Sequence, residues 1–128
     1  MIYIDTSVVL AHLFAEDRRP ADLLWKQPLL SSRLLEYELW IRVNARGMGG
    51  SHGEHVRDIL GRVALVELAP PVLARALDAF PTPVRTLDAL HLATLEFLRS
   101  QGQTISLASY DERLNTAARA LGIPLLDL

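Results

Sequence analysis

Acidic residues stand at four points in this sequence where a carboxylate suits chemistry better than stability. Asp5 follows a short apolar run, Glu38 lies within an otherwise apolar stretch, Asp88 opens another such stretch, and Asp111 follows a third apolar run. Two carboxylates 4 Å apart repel each other by about 4 kcal/mol at an effective dielectric constant near 20. If these acids converge, a cation must offset that repulsion, so the sequence predicts a divalent metal site.

The residue types available as ligands favour a hard metal ion. The chain contains no cysteine, which excludes thiolate sites, and oxygen ligands favour Mg²⁺ or Mn²⁺. A zinc site at His52 and His55 is the alternative, because their spacing suits zinc on a helix. These two residues follow a glycine-rich segment and lack a third ligand, so a surface turn is predicted there. His91 is predicted to be a buried histidine near Asp88.

Each acid also has an ordinary explanation when it is taken singly. Asp88 and Asp111 lie where helices are predicted to begin, and an acid there interacts favourably with the helix dipole. Glu38 is spaced to pair with Arg42 one helical turn later. Glu36 is a second acid in the same stretch, and periodicity does not choose between it and Glu38.

Short apolar runs alternate with longer helical patterns along the chain. The predicted strands are 1–4, 28–31, 63–68, 104–108 and 124–126, and the predicted helices are 7–15, 21–25, 33–46, 55–60, 71–79, 87–99 and 110–121. The glycines of GMGGSHG are predicted to end the third helix. Thr86 is predicted to cap the helix that follows it, and Ser109 with Glu112 matches a capping box.

Strands separated by helices indicate a parallel sheet that is covered on both faces. The runs IYI, ALVEL and TISLA are nearly continuously apolar, as strands buried on both faces should be. The predicted fold class is therefore α/β, a three-layer α/β/α sandwich with a short-stranded, mainly parallel central sheet. Ligands bind beyond the carboxyl ends of such strands, which is where Asp5 and Asp111 fall.

Length and composition limit the class of protein. The 128 residues are half hydrophobic, which suits one domain spanning residues 1–128. No apolar run approaches the roughly 20 residues of a membrane helix, and the apolar start has no basic leader, so a cytoplasmic protein without membrane contact is predicted. The net charge of −2 is unusual for a nucleic-acid binder, but two bound divalent ions would change it to about +2.

Several other kinds of site do not match. An aspartyl phosphatase normally carries a second Asp two positions after its nucleophile, and Ser7 stands there. A phospho-receiver domain needs a late lysine, and none follows Lys26. Neither the glycine fingerprints of nucleotide-binding loops nor the G-x-S-x-G motif is present.

Four motifs in order resemble one known family, the PIN-domain ribonucleases, and within it the VapC toxins of prokaryotic toxin–antitoxin pairs. The motifs are DTS at Asp5, SSRLLEYEL at Glu38, TLDALHLA at Asp88 and ASYDERLNTAARALGIPLL at Asp111. Together they run the length of the chain. Spacing from Ser31 and Ser32 matches the family glutamate to Glu38 rather than to Glu36.

The resemblance implies a PIN-like fold and a metal-dependent endoribonuclease. Its Mg²⁺ or Mn²⁺ ligands and catalytic acids would be Asp5, Glu38, Asp88 and Asp111, with Asp5 central. Thr6 and Ser109 would orient ligands or waters, although both residues are equally suited to capping helices. Because water is the attacking group, cleavage should leave a 5′-phosphate. The resemblance also implies an RNA substrate, a cognate VapB-type antitoxin and a homodimer.

Substrate contacts are less defined. Five arginines lie near the acidic motifs and are candidates for phosphate contacts, although ordinary solvation explains each one more simply: Arg33, Arg42, Arg46, Arg85 and Arg113. Two alternative functions stay open. One is a PIN-like module that binds RNA or protein without cleavage, and the other is a DNA flap-type nuclease, a class that usually carries longer and more basic insertions.

Overall fold

A sheet of four parallel strands forms the centre of the computed structural model, which describes all 128 residues. The strands lie in the order β3-β2-β1-β4, with bounds β1 Ile2–Ile4, β2 Leu29–Ser32, β3 Val63–Val66 and β4 Ser106–Ala108. The helices are α1 Thr6–Leu13, α2 Leu34–Ala45, α3 Gly49–Leu60, α4 Pro70–Ala76, α5 Thr86–Ser100 and α6 Glu112–Ala120, and a 3-10 helix spans Asp22–Lys26.

Two hydrophobic clusters lie on opposite faces of this sheet. Ile4 belongs to the cluster formed with α1, α2 and α3, whereas the neighbouring Tyr3 belongs to the cluster formed with α5 and α6. This alternation follows from the period of two along a strand. The predicted three-layer α/β/α fold with a parallel sheet is therefore confirmed. None of the helices combines the length and the apolar character that crossing a membrane requires.

The parallel arrangement brings the carboxyl ends of all four strands to one edge of the sheet. The central strand β1 pairs with β2 on one side and β4 on the other. The backbone N–H of Asp5 continues the pairing by donating to the carbonyl of Ala108 at 3.0 Å. The segments after β1 and β4 therefore start side by side, and the residues that follow these strands share one edge.

The glycine-rich segment differs from its prediction. Only Gly47 follows α2 in the left-handed conformation, with φ of 67°, as is typical after a helix. Helix α3 already begins at Gly49, so the prediction of a surface turn at His52 and His55 is wrong. Packing explains the difference, because a Cβ on Gly53 would lie 3.4 Å from the ring of Trp40. Tertiary contacts with α2 thus outweigh the low helix propensity of glycine.

Other predicted boundaries shift by smaller amounts. Thr86 is the first residue of α5 rather than its cap, because Arg85 holds the cap position without a capping side-chain bond. The predicted last strand is reduced to a single parallel bridge between Leu107 and Leu125. Strand β3 is partly exposed, because it lies at the edge of the sheet, where its apolar sequence is covered less completely than expected.

Candidate active site

A pocket of about 520 Å³ opens at the carboxyl edge of the sheet, and all four predicted acids line it. Asp5 and Asp88 are buried, with 7% and 9% of their surfaces exposed. Glu38 and Asp111 are somewhat more open. Glu36 lies outside the pocket and pairs with Arg33 on the surface, so the geometry brings Glu38, and not Glu36, to the other acids.

Asp5 is held by hydroxyl groups on two elements. Its Oδ2 atom accepts hydrogen bonds from Ser7 Oγ at 2.7 Å and from Ser109 Oγ at 2.9 Å, and more weakly from the Ser7 N–H at 3.3 Å. The last contact makes Asp5 the cap of α1. No protein group donates to Oδ1 of Asp5. One carboxylate oxygen is thus fixed in place while the other has no protein partner.

The two residues predicted to support the acids behave differently. Ser109 contacts Asp5 and also accepts from the backbone N–H of Asp111 at 2.9 Å, so it ties these two acids together. Thr6 lines the pocket, but its buried hydroxyl has no hydrogen-bond partner. Ser7, rather than Thr6, makes the hydroxyl contact with Asp5. Its position two residues after a helix-capping Asp was the available signal, because an Asp cap bonds to that backbone N–H.

Asp111 has two oxygens with separate tasks. Oδ1 accepts from the backbone N–H groups of Arg113 at 2.9 Å and Leu114 at 3.3 Å, which makes Asp111 the cap of α6. The predicted capping box between Ser109 and Glu112 is therefore wrong, since Asp111 already occupies the cap position. Oδ2 is left to face Arg85.

Arg85 bridges two of the four acids. Its Nε donates to Asp88 Oδ2 at 3.0 Å, and its Nη2 donates to Asp111 Oδ2 at 2.6 Å. Burial raises the pKa of Asp88 in spite of Arg85, and the charges of Asp111 and Asp5 raise it further. Asp88 therefore resists ionisation even with the guanidinium of Arg85 bonded to it.

Glu38 is connected to the core through a buried histidine. His91, 1% exposed, lies with Nε2 2.5 Å from Glu38 Oε1 and with Nδ1 2.6 Å from the Tyr3 hydroxyl. The Ser32 N–H in turn donates to the Tyr3 oxygen at 3.2 Å. Burial opposes protonation of His91, but its bond to Glu38 and the nearby acids prevail and raise its pKa. Glu38 thus pairs with His91 rather than with Arg42.

The start of α2 helps to position Glu38. The Ser32 hydroxyl accepts from the first backbone N–H of α2 at 3.1 Å, which fixes the start of the helix that carries Glu38. Tyr3 was not singled out from the sequence, because an aromatic residue in an apolar strand reads as ordinary core. His91 proves to be both a core residue and a direct partner of a pocket acid.

The side chains that line the pocket are of the types that bind a hard divalent ion, but they are not arranged around one. Four carboxylates and no sulfur or free imidazole line it, and Mg²⁺ and Mn²⁺ favour such oxygen donors. In this arrangement, no three acid or histidine side chains converge closely enough to hold a metal ion. Asp88 and Asp111 instead share the guanidinium of Arg85. The residues fit the ion by type, and binding requires their ion pairs to open.

The arginines near the acidic motifs divide into two groups. Arg42 and Arg85 line the pocket, and Arg113 lines an adjoining cavity of about 690 Å³ that also reaches Arg85 and Asp88. The other two point elsewhere, since Arg33 bonds to Glu67 and Arg46 lies over the ring of Phe14 at 4.0 Å. Three of the five arginines thus line the acidic pocket or the cavity beside it.

The sequence was compared with protein-family models and with known proteins. The family model for the PIN domain matches residues 2–120. Ribonuclease VapC35 of Mycobacterium tuberculosis is 34% identical over 132 residues, covering 98% of this chain and 96% of the relative. Ribonuclease VapC46 of the same organism is 30% identical over 129 residues, covering 98% and 95%.

Solved structures show the same fold at lower sequence identity. A toxin–antitoxin complex from Klebsiella pneumoniae contains a chain with a TM-score of 0.69 and 15% identity, and the match covers 94% of each chain. VapC20 of Mycobacterium tuberculosis, a toxin that cleaves the sarcin–ricin loop, gives a TM-score of 0.66 and 20% identity, covering 91% of this chain and 95% of that one.

Proposed function

The chain belongs to the PIN domain family, with ribonucleases named VapC among its relatives, and from this premise we propose that it is an endoribonuclease dependent on Mg²⁺ or Mn²⁺. The observation that carries the proposal is the gathering of Asp5, Glu38, Asp88 and Asp111 around one pocket. Gathering like charges in this way lowers stability, so it is better explained by a bound cation than by folding.

These four acids would hold the ion, and the surrounding residues would orient them. An ion bound there lowers the pKa of a coordinated water and neutralises charge on the phosphate. Ser7 and Ser109 hold Asp5 in one orientation, and His91 does the same for Glu38. Water would attack phosphorus as the P–O3′ bond breaks, and a proton from that water would pass to the leaving 3′ oxygen, so that the products are a 5′-phosphate and a 3′-hydroxyl. Residues that hydrogen-bond to metal ligands affect metal affinity or activity about 10–100-fold.

The arginines that line the acidic pocket and the adjoining cavity are the proposed contacts for RNA. Arg42 lines the acidic pocket and Arg113 lines the adjoining cavity, and arginine binds phosphate through two parallel hydrogen bonds. The net charge of −2 becomes about +2 with two divalent ions bound. The RNA would therefore meet a protein of positive net charge only when two ions are bound.

The biological role follows from the relatives. We assign the chain as one PIN-like domain over residues 1–128 and as the toxin of a VapBC pair, with a VapB-type antitoxin as partner, a homodimer as its assembly and cytoplasmic RNA as its substrate. Relatives named as VapC ribonucleases support this assignment, as does the structural likeness to a chain of a toxin–antitoxin complex. A non-cleaving binding module is disfavoured because all four acids line the pocket.

A cleavage assay on a defined RNA tests this proposal. Activity is expected with Mg²⁺ or Mn²⁺ and should disappear with EDTA. Asp5→Ala should abolish cleavage because it removes the central ligand. Since this change also removes the cap of α1, worth about 1 kcal/mol, Asp5→Asn serves as the variant that keeps a capping side chain.

The matched control is Asp58→Ala, which removes an exposed acid on α3. That control should cleave like the wild type, and circular dichroism should show all three variants folded. Full activity of a folded Asp5 variant, or cleavage that persists in EDTA, would contradict the proposal.

A further inference from the structure

Arg85 occupies the point where the acidic pocket meets its neighbouring cavities. Its side chain contributes to the lining of the acidic pocket, of the adjoining cavity with Arg113, and of an apolar groove beside α4. About half of the side chain is exposed, 54%. It holds the cap position of α5 without making a capping bond. The guanidinium is therefore held by its two acid partners rather than by packing.

The two partners of Arg85 are both pocket acids, and the bonds engage single oxygens. Nε binds Oδ2 of Asp88 and Nη2 binds Oδ2 of Asp111. Mg²⁺ requires oxygen ligands about 2.0–2.1 Å away, and a guanidinium that bridges the same two carboxylates occupies the space between them. Two cations in contact with one pair of acids also repel each other.

From this geometry we infer that Arg85 is an internal counter-cation that competes with the divalent ion for Asp88 and Asp111. The inference rests on the proposed function, because it concerns the ion proposed for the same site. Before metal binds, Arg85 holds the two acids close together and partly neutralises them. When metal binds, the guanidinium must leave at least one of them, and it is then free for phosphate at the mouth of the cavity with Arg113.

Mn²⁺ titration calorimetry on the full chain tests this competition. Arg85→Gln should bind Mn²⁺ about three- to tenfold more tightly than the wild type, since two partly exposed ion pairs no longer need to open. Arg85→Lys retains the charge but cannot form the bridging pair of bonds, so its Mn²⁺ affinity should lie between those of the wild type and Arg85→Gln. Arg33→Gln is the matched control, because Arg33 also bridges two carboxylates, and it should leave the affinity unchanged.

A second measurement follows the guanidinium itself. In a ¹⁵N spectrum, the Nε–H signal of Arg85, assigned by its absence in Arg85→Gln, should move when Mg²⁺ is added. The Nε–H signal of Arg33 should stay in place.

The outcomes separate this inference from the proposed function. If Arg85→Gln binds Mn²⁺ equally or more weakly than the wild type, competition is refuted while the metal site stands. A stationary Arg85 signal during Mg²⁺ binding refutes it as well. If the folded wild type binds no divalent ion, the proposed metal site fails and the inference falls with it.

Discussion

Two arginines in this molecule make nearly the same arrangement in two different settings. Each holds the cap position of a helix, pairs with the acid three residues later, and reaches a second acid on another element. The two groups are Arg33 with Glu36 and Glu67 and Arg85 with Asp88 and Asp111. The spacing of three residues accounts for the first ion pair of each group, whereas the second joins segments 34 and 26 residues apart in the chain.

Their surroundings make the two groups respond in opposite ways. Glu67 is exposed, at 70% for its side chain, and its bond to Arg33 lowers its pKa. Asp88 is buried, and its pKa is raised although Arg85 bonds to it, because burial and the nearby charges of Asp111 and Asp5 prevail. An arginine that stabilises the charged form of Glu67 at the surface has a counterpart that leaves the buried Asp88 short of positive charge. That shortage is what a divalent ion can supply.

The largest expected difference between the two groups is in RNA cleavage. Asp88→Asn removes a proposed ligand. It should therefore reduce the cleavage rate more than the loss of a residue that only hydrogen-bonds to a ligand, which typically costs about 10–100-fold. Glu36→Gln, the equivalent change in the other group, should leave the rate within about twofold of the wild type, as is usual for an exposed ion pair.

Rates measured at saturating Mg²⁺ with one defined RNA would give this comparison. Equal losses in both variants would show that the setting of the pair is irrelevant. The distinction drawn between the two arginine groups would then be wrong.

An intermediate effect is expected for the histidine behind Glu38. His91→Leu should slow cleavage about 10–100-fold by releasing Glu38, and it should lower the free energy of unfolding by about 1–3 kcal/mol, because the buried Tyr3 hydroxyl loses its hydrogen bond to the imidazole. His52→Leu is the control, since His52 bonds only to the neighbouring exposed Ser51. Cleavage rates and urea unfolding measure the two effects, and a fully active His91→Leu would show that Glu38 needs no orientation.

The smallest expected effects are opposite pH dependences of stability in the metal-free protein. A raised pKa in the folded state means that Asp88 reduces the free energy of unfolding as pH rises from 3.8 through the raised pKa. A lowered pKa means that Glu67 adds stability above pH 4.5 and loses that contribution as pH falls through the lowered value.

Urea unfolding between about pH 3 and 7 can resolve the two signs. The stability of the wild type relative to Asp88→Asn should fall as pH rises. Its stability relative to Glu67→Gln should rise over the same range. Slopes of the same sign for the two variants would show that Asp88 and Glu67 do not differ electrostatically in this way.

Local patterns predicted the elements of this fold well, because apolar period and spacing are local properties. The strand after Met1, the helix carrying Asp88 and the parallel sheet all follow from them. Helix α3 did not, because the contact that stabilises its glycines is the Trp40 ring on a different helix. Likewise, the exposed side of β3 depends on its place at the sheet edge, which composition does not encode.

The same distinction applies to the site. The four acids could be chosen from motifs and their order, and Arg85 could be paired with Asp88 from a spacing of three. The bridge to Asp111 spans 26 positions and the contact between His91 and Glu38 spans 53. Such contacts depend on how the helices are placed on the sheet, so no local pattern in the sequence indicates them.

The central position of β1 has a consequence for translation. Its neighbour β4 lies near the other end of the chain, and Ser109, which holds Asp5, is 104 residues away from it. A nascent polypeptide that has reached Gln103 already carries Asp5, Glu38 and Asp88, but it lacks the strand and helix that complete the pocket. Since domains emerge from the ribosome with their first residues leading, the pocket is completed only after β4 and α6 have been made.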